Sequence, residues 1–109
     1  MDSIMENTIF MLISNAGQAR SFCFKALQYA RKGDFVKAEE CIAKAQAELL
    51  KTHDIHAAMI HKEAAGEKTE FSLLLVHAED HLMTTMFAKD LIKELVAIMK
   101  DARGYGEVQ

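Results

Sequence analysis

Apolar residues recur at every third or fourth position along most of the chain, in three long segments separated by glycine-containing stretches. This spacing places apolar side chains on one face of an α-helix. The chain has no proline, and two of its five glycines fall between the segments. The pattern predicts an all-α protein with helices over about 3–32, 35–64 and 69–101, followed by a flexible tail at 102–109.

The end of the first segment is clearly marked in the sequence. Arg31 and Lys32 precede Gly33, a residue suited to the left-handed backbone conformation that ends many helices. Asp34 comes next, where an aspartate can cap the following helix by accepting a hydrogen bond from a backbone N–H of its first turn. A connection this short makes the first two helices antiparallel neighbours.

Each of the first two helices has one face that the spacing predicts to be buried. In the first helix this face consists of Met5, Ile9, Leu12, Ala16, Ala19, Cys23, Leu27 and Ala30. In the second helix it consists of Val36, Cys41, Ala45 and Leu49. Gly17 lies inside the first helix, where glycine costs up to about 1 kcal/mol relative to alanine. We therefore expect another helix to approach Gly17 closely.

The third helix is apolar on more than one face. One face carries Leu73, Leu74, Ala88, Leu91, Ile92 and Leu95, and the far side carries Leu75, Leu82 and Met86. A three-helix bundle needs only one apolar stripe per helix, so the second side must be covered by something else. The sequence predicts one domain over 1–109, an antiparallel up-down-up three-helix bundle that associates with copies of itself.

A polar patch interrupts this third helix in the stretch VHAEDHLMT. His77, Asp80, His81 and Thr84 stand at i, i+3, i+4 and i+7, so they share one face. An aspartate in a subunit seam is costly unless it is paired, protonated or bound to a cation. The patch fits a hydrogen-bonded cluster that sets register, a metal site, or a nucleophilic histidine, and its geometry leaves all three open.

The bulk composition excludes some classes of function. Lysine and arginine number 13 against 16 aspartates and glutamates, a net charge of −3, so no basic surplus points to nucleic acid. The start of the chain does not resemble a secretory signal, and no run approaches the roughly 18 apolar residues of a membrane span. We expect a cytoplasmic protein without membrane insertion. Cys23 and Cys41 are isolated, which favours buried free thiols.

Two stretches carry a resemblance to a known family. They are LISNAGQARSFCFKAL at 12–27 and LLLVHAEDHLMTTMFAKDLIKEL at 73–95. Together they resemble the enzyme IIA component of the lactose/cellobiose (chitobiose) class of the bacterial phosphoenolpyruvate-dependent sugar phosphotransferase system. The likeness extends over nearly the whole chain and includes the three-helix layout.

The resemblance implies a function and a role for three residues. His77 matches the histidine that accepts a phosphoryl group on Nε2 from the histidine-containing phosphocarrier protein. The group then passes to a cysteine of enzyme IIB during uptake of a β-linked disaccharide. Asp80 matches a residue whose three copies meet on a homotrimer axis around a metal ion, often magnesium. His81 matches the second histidine of the motif and takes a supporting role. No organic cofactor is implied, and no residue indicates which sugar is carried.

The chain departs from the family at Glu79, where a glutamine is common. Glu79 adds negative charge near the incoming anion. It stands two residues from His77 and so points to roughly the opposite side of the helix, and we expect a modest effect on transfer. Arg20 could assist a phosphate, although a solvated arginine is the simpler interpretation. His53, His56 and His61 of the second helix are interpreted as surface or rim residues rather than as metal ligands.

Two other functions remain compatible with the residues. The first is a trimeric helical adaptor or regulator that keeps the fold but transfers no phosphoryl group. The second is a metal-binding bundle in which His77 and His81 are ligands.

Overall fold

Three long helices form an antiparallel up-down-up bundle. They are α1 (Ser3–Arg31), α2 (Phe35–Ala64) and α3 (Leu73–Ala102). The computed structural model describes residues 3–104, whose longest dimension is 57 Å. The predicted all-α bundle is confirmed. The predicted flexible tail falls mostly on 105–109, which lie outside the described residues. None of the three helices is long and apolar enough to cross a membrane.

The turn between α1 and α2 is built as predicted. Gly33 has a positive φ of 84°, and the carboxylate of Asp34 accepts a hydrogen bond from the backbone N–H of Lys37 at 3.2 Å. The end of α3 also reaches this turn. The guanidinium of Arg103 donates to the carbonyl oxygen of Arg31 at 3.3 Å and lies 5.9 Å from the ring centroid of Phe35. All three helices are therefore joined at this end of the bundle.

The start of the third helix was predicted wrongly. The sequence interpretation began the helix at about residue 69, whereas α3 begins at Leu73. Ser72 is the capping residue, and its hydroxyl accepts from the backbone N–H of Leu75 at 3.1 Å. Leu75 is the first buried residue of α3, and Phe71 is 85% exposed. Extending the helix to Thr69 would bury no further apolar side chain, so packing does not support it.

The core lies between α1 and its two neighbours. The buried face of α1 is built largely from small residues, namely Ala16, Ala19, Cys23, Ala26 and Ala30, beside the larger Ile9 and Leu12. Small side chains let the backbones of two helices approach. This face was predicted correctly, except that Ala26 is buried where Leu27 was expected and that Met5 and Leu27 are half-buried.

The predicted buried face of α2 needs one correction. Cys41, Ala45 and Leu49 are buried as expected, but Val36 is 70% exposed and Phe35 is buried in its place. Consecutive helical residues are separated by about 100° around the helix axis. The stripe that continues through Ala38 and Ile42 therefore includes Phe35 and leaves Val36 on the solvent side.

Both cysteines are free and buried, as the sequence predicted. Burial raises the pKa of the Cys23 thiol, and the nearby Lys89 opposes this only in part. The thiol is therefore protonated at neutral pH, and a protonated buried thiol behaves as a small apolar side chain.

Gly17 does not have the close helix neighbour that the sequence suggested. A Cβ built on Gly17 meets nothing within 4 Å, and the residue is exposed. A Cβ built on Gly33 would instead collide with the guanidinium of Arg103.

The two glycines should therefore respond oppositely to the same substitution. We expect Gly33→Ala to lower the free energy of unfolding by about 1–2 kcal/mol, because alanine strains the left-handed backbone. Gly17→Ala should raise it by roughly 0.5–1 kcal/mol, because alanine is favoured inside an exposed helix. Chemical unfolding followed by circular dichroism measures both. A loss of stability at Gly17 would contradict this packing and indicate contact with a second chain.

Candidate functional site

The polar patch lies on the outer face of α3, near the start of the helix. The opposite face of the same turns is anchored in the core by Leu75, Ala78 and Leu82, all buried. The Ser72 cap satisfies a backbone N–H of the first turn. His77 projects from this anchored segment and is exposed. The imidazole of His77 is thus presented to solvent by a well-supported backbone.

His77 and His81 touch each other through their ring nitrogens. Their Nε2 atoms lie 3.1 Å apart, and the rings meet edge to face with centroids separated by 4.5 Å. At this distance one Nε2 donates a hydrogen bond and the other accepts it. A neutral histidine whose Nε2 accepts carries its proton on Nδ1, and its Nε2 lone pair can act as a nucleophile once this hydrogen bond is released. The two histidines of the motif are therefore coupled by a hydrogen bond, and the tautomer of one determines the tautomer of the other.

Asp80 lies beside this pair with its carboxylate free. The carboxylate accepts no hydrogen bond from any residue between 3 and 104 and is exposed. Only the main-chain carbonyl of Asp80 is engaged, by the Thr84 hydroxyl at 2.7 Å. The Asp80 side chain can therefore interact with a cation or with another chain.

Two open concavities meet at Asp80. One, of about 700 Å³, is lined by Leu73, Leu74, Val76, His77 and Asp80. The other, of about 360 Å³, lies towards α1 and includes Arg20, Phe24 and Thr84. The guanidinium of Arg20 sits 5.9 Å from the ring centroid of Phe24. Arg20 is exposed, as expected for a solvated arginine. It also lies in the surroundings of Asp80.

An exposed apolar stripe runs along α3 through the patch. Its members are Leu73 (85% exposed), Val76 (40%), Met83 (55%) and Phe87 (71%). With Asp80 they alternate at spacings of three and four residues, which is the a/d pattern of a coiled-coil seam. The second apolar face predicted from the sequence therefore exists. Its membership differs from the prediction, which included Leu73 but not Val76, Met83 or Phe87. The prediction also included Ile92, which is 4% exposed and packs in the core of the bundle.

Glu79 points away from His77, as its position two residues along the helix predicted. Its Oε1 lies 3.2 Å from Nε2 of His56 on α2. The side chain of His56 is only 15% exposed, so His56 lies at the rim of the core and not on the open surface. The sequence contained a signal for the partial burial of His56. His56 follows the buried Leu49 and Thr52 at the three-to-four-residue interval of the α2 core face.

The other histidines of α2 form no site. Nδ1 of His53 lies 3.8 Å from Asp54, and His61 is exposed. Within residues 3–104 of a single chain, no group of three histidine, cysteine, aspartate or glutamate side chains could hold a metal ion. A metal site built from one copy of the described chain is therefore not supported.

Comparison with known proteins assigns the chain to a family. The family described as the PTS system, lactose/cellobiose-specific IIA subunit, matches residues 7–100. The oligo-β-mannoside-specific EIIA component of Bacillus subtilis is 47% identical over 95 residues, covering 87% of this chain and 86% of that protein. The N,N′-diacetylchitobiose-specific EIIA component of Escherichia coli K12 is 40% identical over 94 residues, covering 86% and 81%.

Solved structures agree with this assignment. The cellobiose-specific enzyme IIA from Bacillus anthracis superposes with a TM-score of 0.89 at 40% identity, covering 95% of each chain. A chain of the IIA(chitobiose)–HPr complex superposes with a TM-score of 0.81 at 35% identity, covering 94% of this chain and 99% of that one. The chain therefore belongs to the lactose/cellobiose-specific IIA family of the sugar phosphotransferase system.

Proposed function

We propose that this chain carries a phosphoryl group on Nε2 of His77 between two protein partners. The observation that carries the proposal is the hydrogen-bonded contact of His77 with His81 on an exposed, core-anchored turn of α3. The chain's membership in the IIA family supports a phosphotransfer role. A histidine whose Nε2 accepts a hydrogen bond from a second histidine carries its proton on Nδ1, which is the tautomer that attack through Nε2 requires.

The transfer step exchanges one nitrogen–phosphorus bond for another. The lone pair on Nε2 of His77 attacks the phosphorus of a phosphohistidine on the donor, and the donor nitrogen leaves with the electrons of the broken bond. The proton on Nδ1 of His77 stays in place. Bonds of the same type form and break, so positioning and charge stabilisation supply most of the catalysis.

His81 is proposed to support both states of His77. Before transfer, its Nε2–H donates to Nε2 of His77 and holds the reactive tautomer. During transfer, the same N–H turns to an oxygen of the arriving phosphoryl group, where a hydrogen bond to a charged acceptor is stronger. The side chain of His81 is half-buried against α3, which limits the rearrangement to its ring.

We further propose that the exposed stripe of α3 forms the seam of a homotrimer. The stripe is too apolar and too continuous for a solvated helix face, and Asp80 interrupts it at a seam position. Three carboxylates meeting on the axis would repel one another unless a cation joined them. Carboxylate oxygens are the ligands that magnesium prefers, and the Asp80 carboxylate has no partner within the described part of its own chain.

The proposed partners are the histidine-containing phosphocarrier protein as donor and a cysteine of enzyme IIB as acceptor. A structural relative was solved as an IIA(chitobiose)–HPr complex, which supports the donor. Relatives named for oligo-β-mannoside, lichenan, chitobiose and lactose are 40–47% identical to this chain. Such even similarity suits a carrier that does not contact the sugar, here proposed to be a β-linked disaccharide.

His77→Gln should abolish phosphorylation. The purified chain is incubated with phosphoenolpyruvate, enzyme I and the histidine phosphocarrier, and intact mass together with phosphorus NMR reports one added phosphoryl group. Glutamine keeps the polarity and approximate size of histidine but has no nucleophilic ring nitrogen. His53→Gln, also on an exposed helical surface, is the matched control and should behave as the wild type. Phosphorylation of His77→Gln would refute the assignment.

His81→Gln should still accept the phosphoryl group, but roughly 10–100-fold more slowly, as expected for loss of a hydrogen bond to a charged group worth about 1.5–3 kcal/mol. Stopped samples read by mass spectrometry give the rate. A rate equal to that of the wild type would assign His81 no part in transfer.

Asp80→Leu should give a trimer that needs no metal ion. Leucine removes the repulsion among three carboxylates and extends the apolar seam. Analytical ultracentrifugation with and without a chelator measures the change: the wild type should lose trimer in chelator, and the variant should not. A wild-type trimer that is indifferent to chelator would contradict the metal proposal while leaving the seam intact.

A further inference from the structure

Lysine and arginine are sparse on the parts of α1 and α3 nearest to His77. Neither α1 up to residue 19 nor α3 from 73 to 88 contains a lysine or arginine. The same part of α3 contains two carboxylates, Glu79 and Asp80, within three residues of His77. Each of these carboxylates opposes the approach of a phosphoryl group to His77, whereas Arg20, which lines a concavity together with Asp80, favours it.

The structure supplies one of these carboxylates with a partner from another helix. His56 reaches from α2 and places its Nε2 3.2 Å from Oε1 of Glu79. Its side chain is 15% exposed and that of Glu79 is 45% exposed. Lys51, another cation in this part of α2, lies 3.6 Å from Glu48 on its own helix. His56 is thus the described α2 residue that engages the carboxylate beside the reactive histidine.

We propose that His56 is a positioning residue whose contact offsets the negative charge of Glu79 and so favours phosphoryl transfer to His77. The N–H of His56 donates to the carboxylate and so offsets part of its negative charge. Glu79 then opposes the incoming anion less than a free carboxylate would. This inference rests on the proposed role of His77. It explains how the chain accommodates a glutamate beside its reactive histidine.

The expected size of the effect follows from Coulomb's law. An unpaired carboxylate about 10 Å from a group of charge about −1 to −2 changes a rate roughly two- to fourfold in a water-like dielectric. Salt weakens this interaction, because the Debye length falls from about 30 Å at 0.01 M to about 3 Å at 1 M ionic strength. A purely structural role for the pair would show no such dependence on salt.

The test compares four forms of the full-length chain: wild type, His56→Leu, Glu79→Gln and the double variant. Each is phosphorylated by phosphoramidate, a small anionic donor whose phosphorus–nitrogen bond breaks to release ammonia as the bond to His77 forms. Peptide mass spectrometry quantifies the product at His77. Circular dichroism confirms that each form keeps its helices. Lys100→Gln is the matched control, because Lys100 bonds Glu39 across the same two helices at 3.0 Å, near the opposite end of the bundle.

At low ionic strength we expect His56→Leu to react roughly two- to fourfold more slowly than the wild type. Glu79→Gln and the double variant should react at least as fast as the wild type, because no carboxylate then needs a partner. The deficit of His56→Leu should disappear at about 1 M salt. The Lys100→Gln control should match the wild type.

Two results would overturn the inference. One is a wild-type rate for His56→Leu at low salt. The other is a deficit that persists in the double variant or at high salt, since either would mean that the pair acts through structure and not through charge. Phosphoramidate needs no protein partner, which separates this inference from the proposed function. Reaction with phosphoramidate in the expected order, without transfer from the histidine phosphocarrier, would refute the carrier role alone.

Discussion

The structure depends on α3, a helix that carries two apolar faces and buries one of them within the bundle. The stripe of α3 through Leu75, Leu82, Ile92 and Val96 packs against the other helices and fixes the rotation of α3 about its own axis. Once that rotation is fixed, the second stripe and the polar residues within it must face outward. The exposure of His77 and Asp80 is thus a consequence of core packing on the opposite side of the same turns.

Charge is distributed unevenly along the bundle, and this matters for a protein that handles an anion. Cations cluster where α1, α2 and α3 meet at the Gly33 turn, with Arg31, Lys32 and Arg103 close together. The His77 end has carboxylates on α3 and no lysine or arginine on the adjoining part of that helix. The local donors are Arg20 of α1, which lines a concavity with Asp80, and two imidazole groups, His81 on α3 and His56 from α2.

The less closely packed pair of helices, α2 and α3, is joined by a polar contact near each end. Lys100 bonds Glu39 at 3.0 Å near the Gly33 turn, and His56 bonds Glu79 at 3.2 Å near the site. An apolar groove lined by Ile42 and Val96 lies between α2 and α3 closer to the first of these contacts. Exposed polar contacts contribute little to stability, so the relation of α2 to α3 is set mainly by their packing in a common core with α1.

The helix number, the Gly33–Asp34 turn, the buried face of α1 and the His77 patch could all be predicted from sequence, because spacing and capping act over a few residues. The family resemblance supplied the roles of the site residues. Tertiary contacts decided the rest. The Ser72 cap depends on where Leu75 reaches the core, and the open surroundings of Gly17 depend on how the helices pack. The His56–Glu79 contact joins residues 23 positions apart. Residues so far apart in sequence come into contact only once the rotation and register of their helices are fixed. Neither quantity can be predicted from the spacing of residues within one helix.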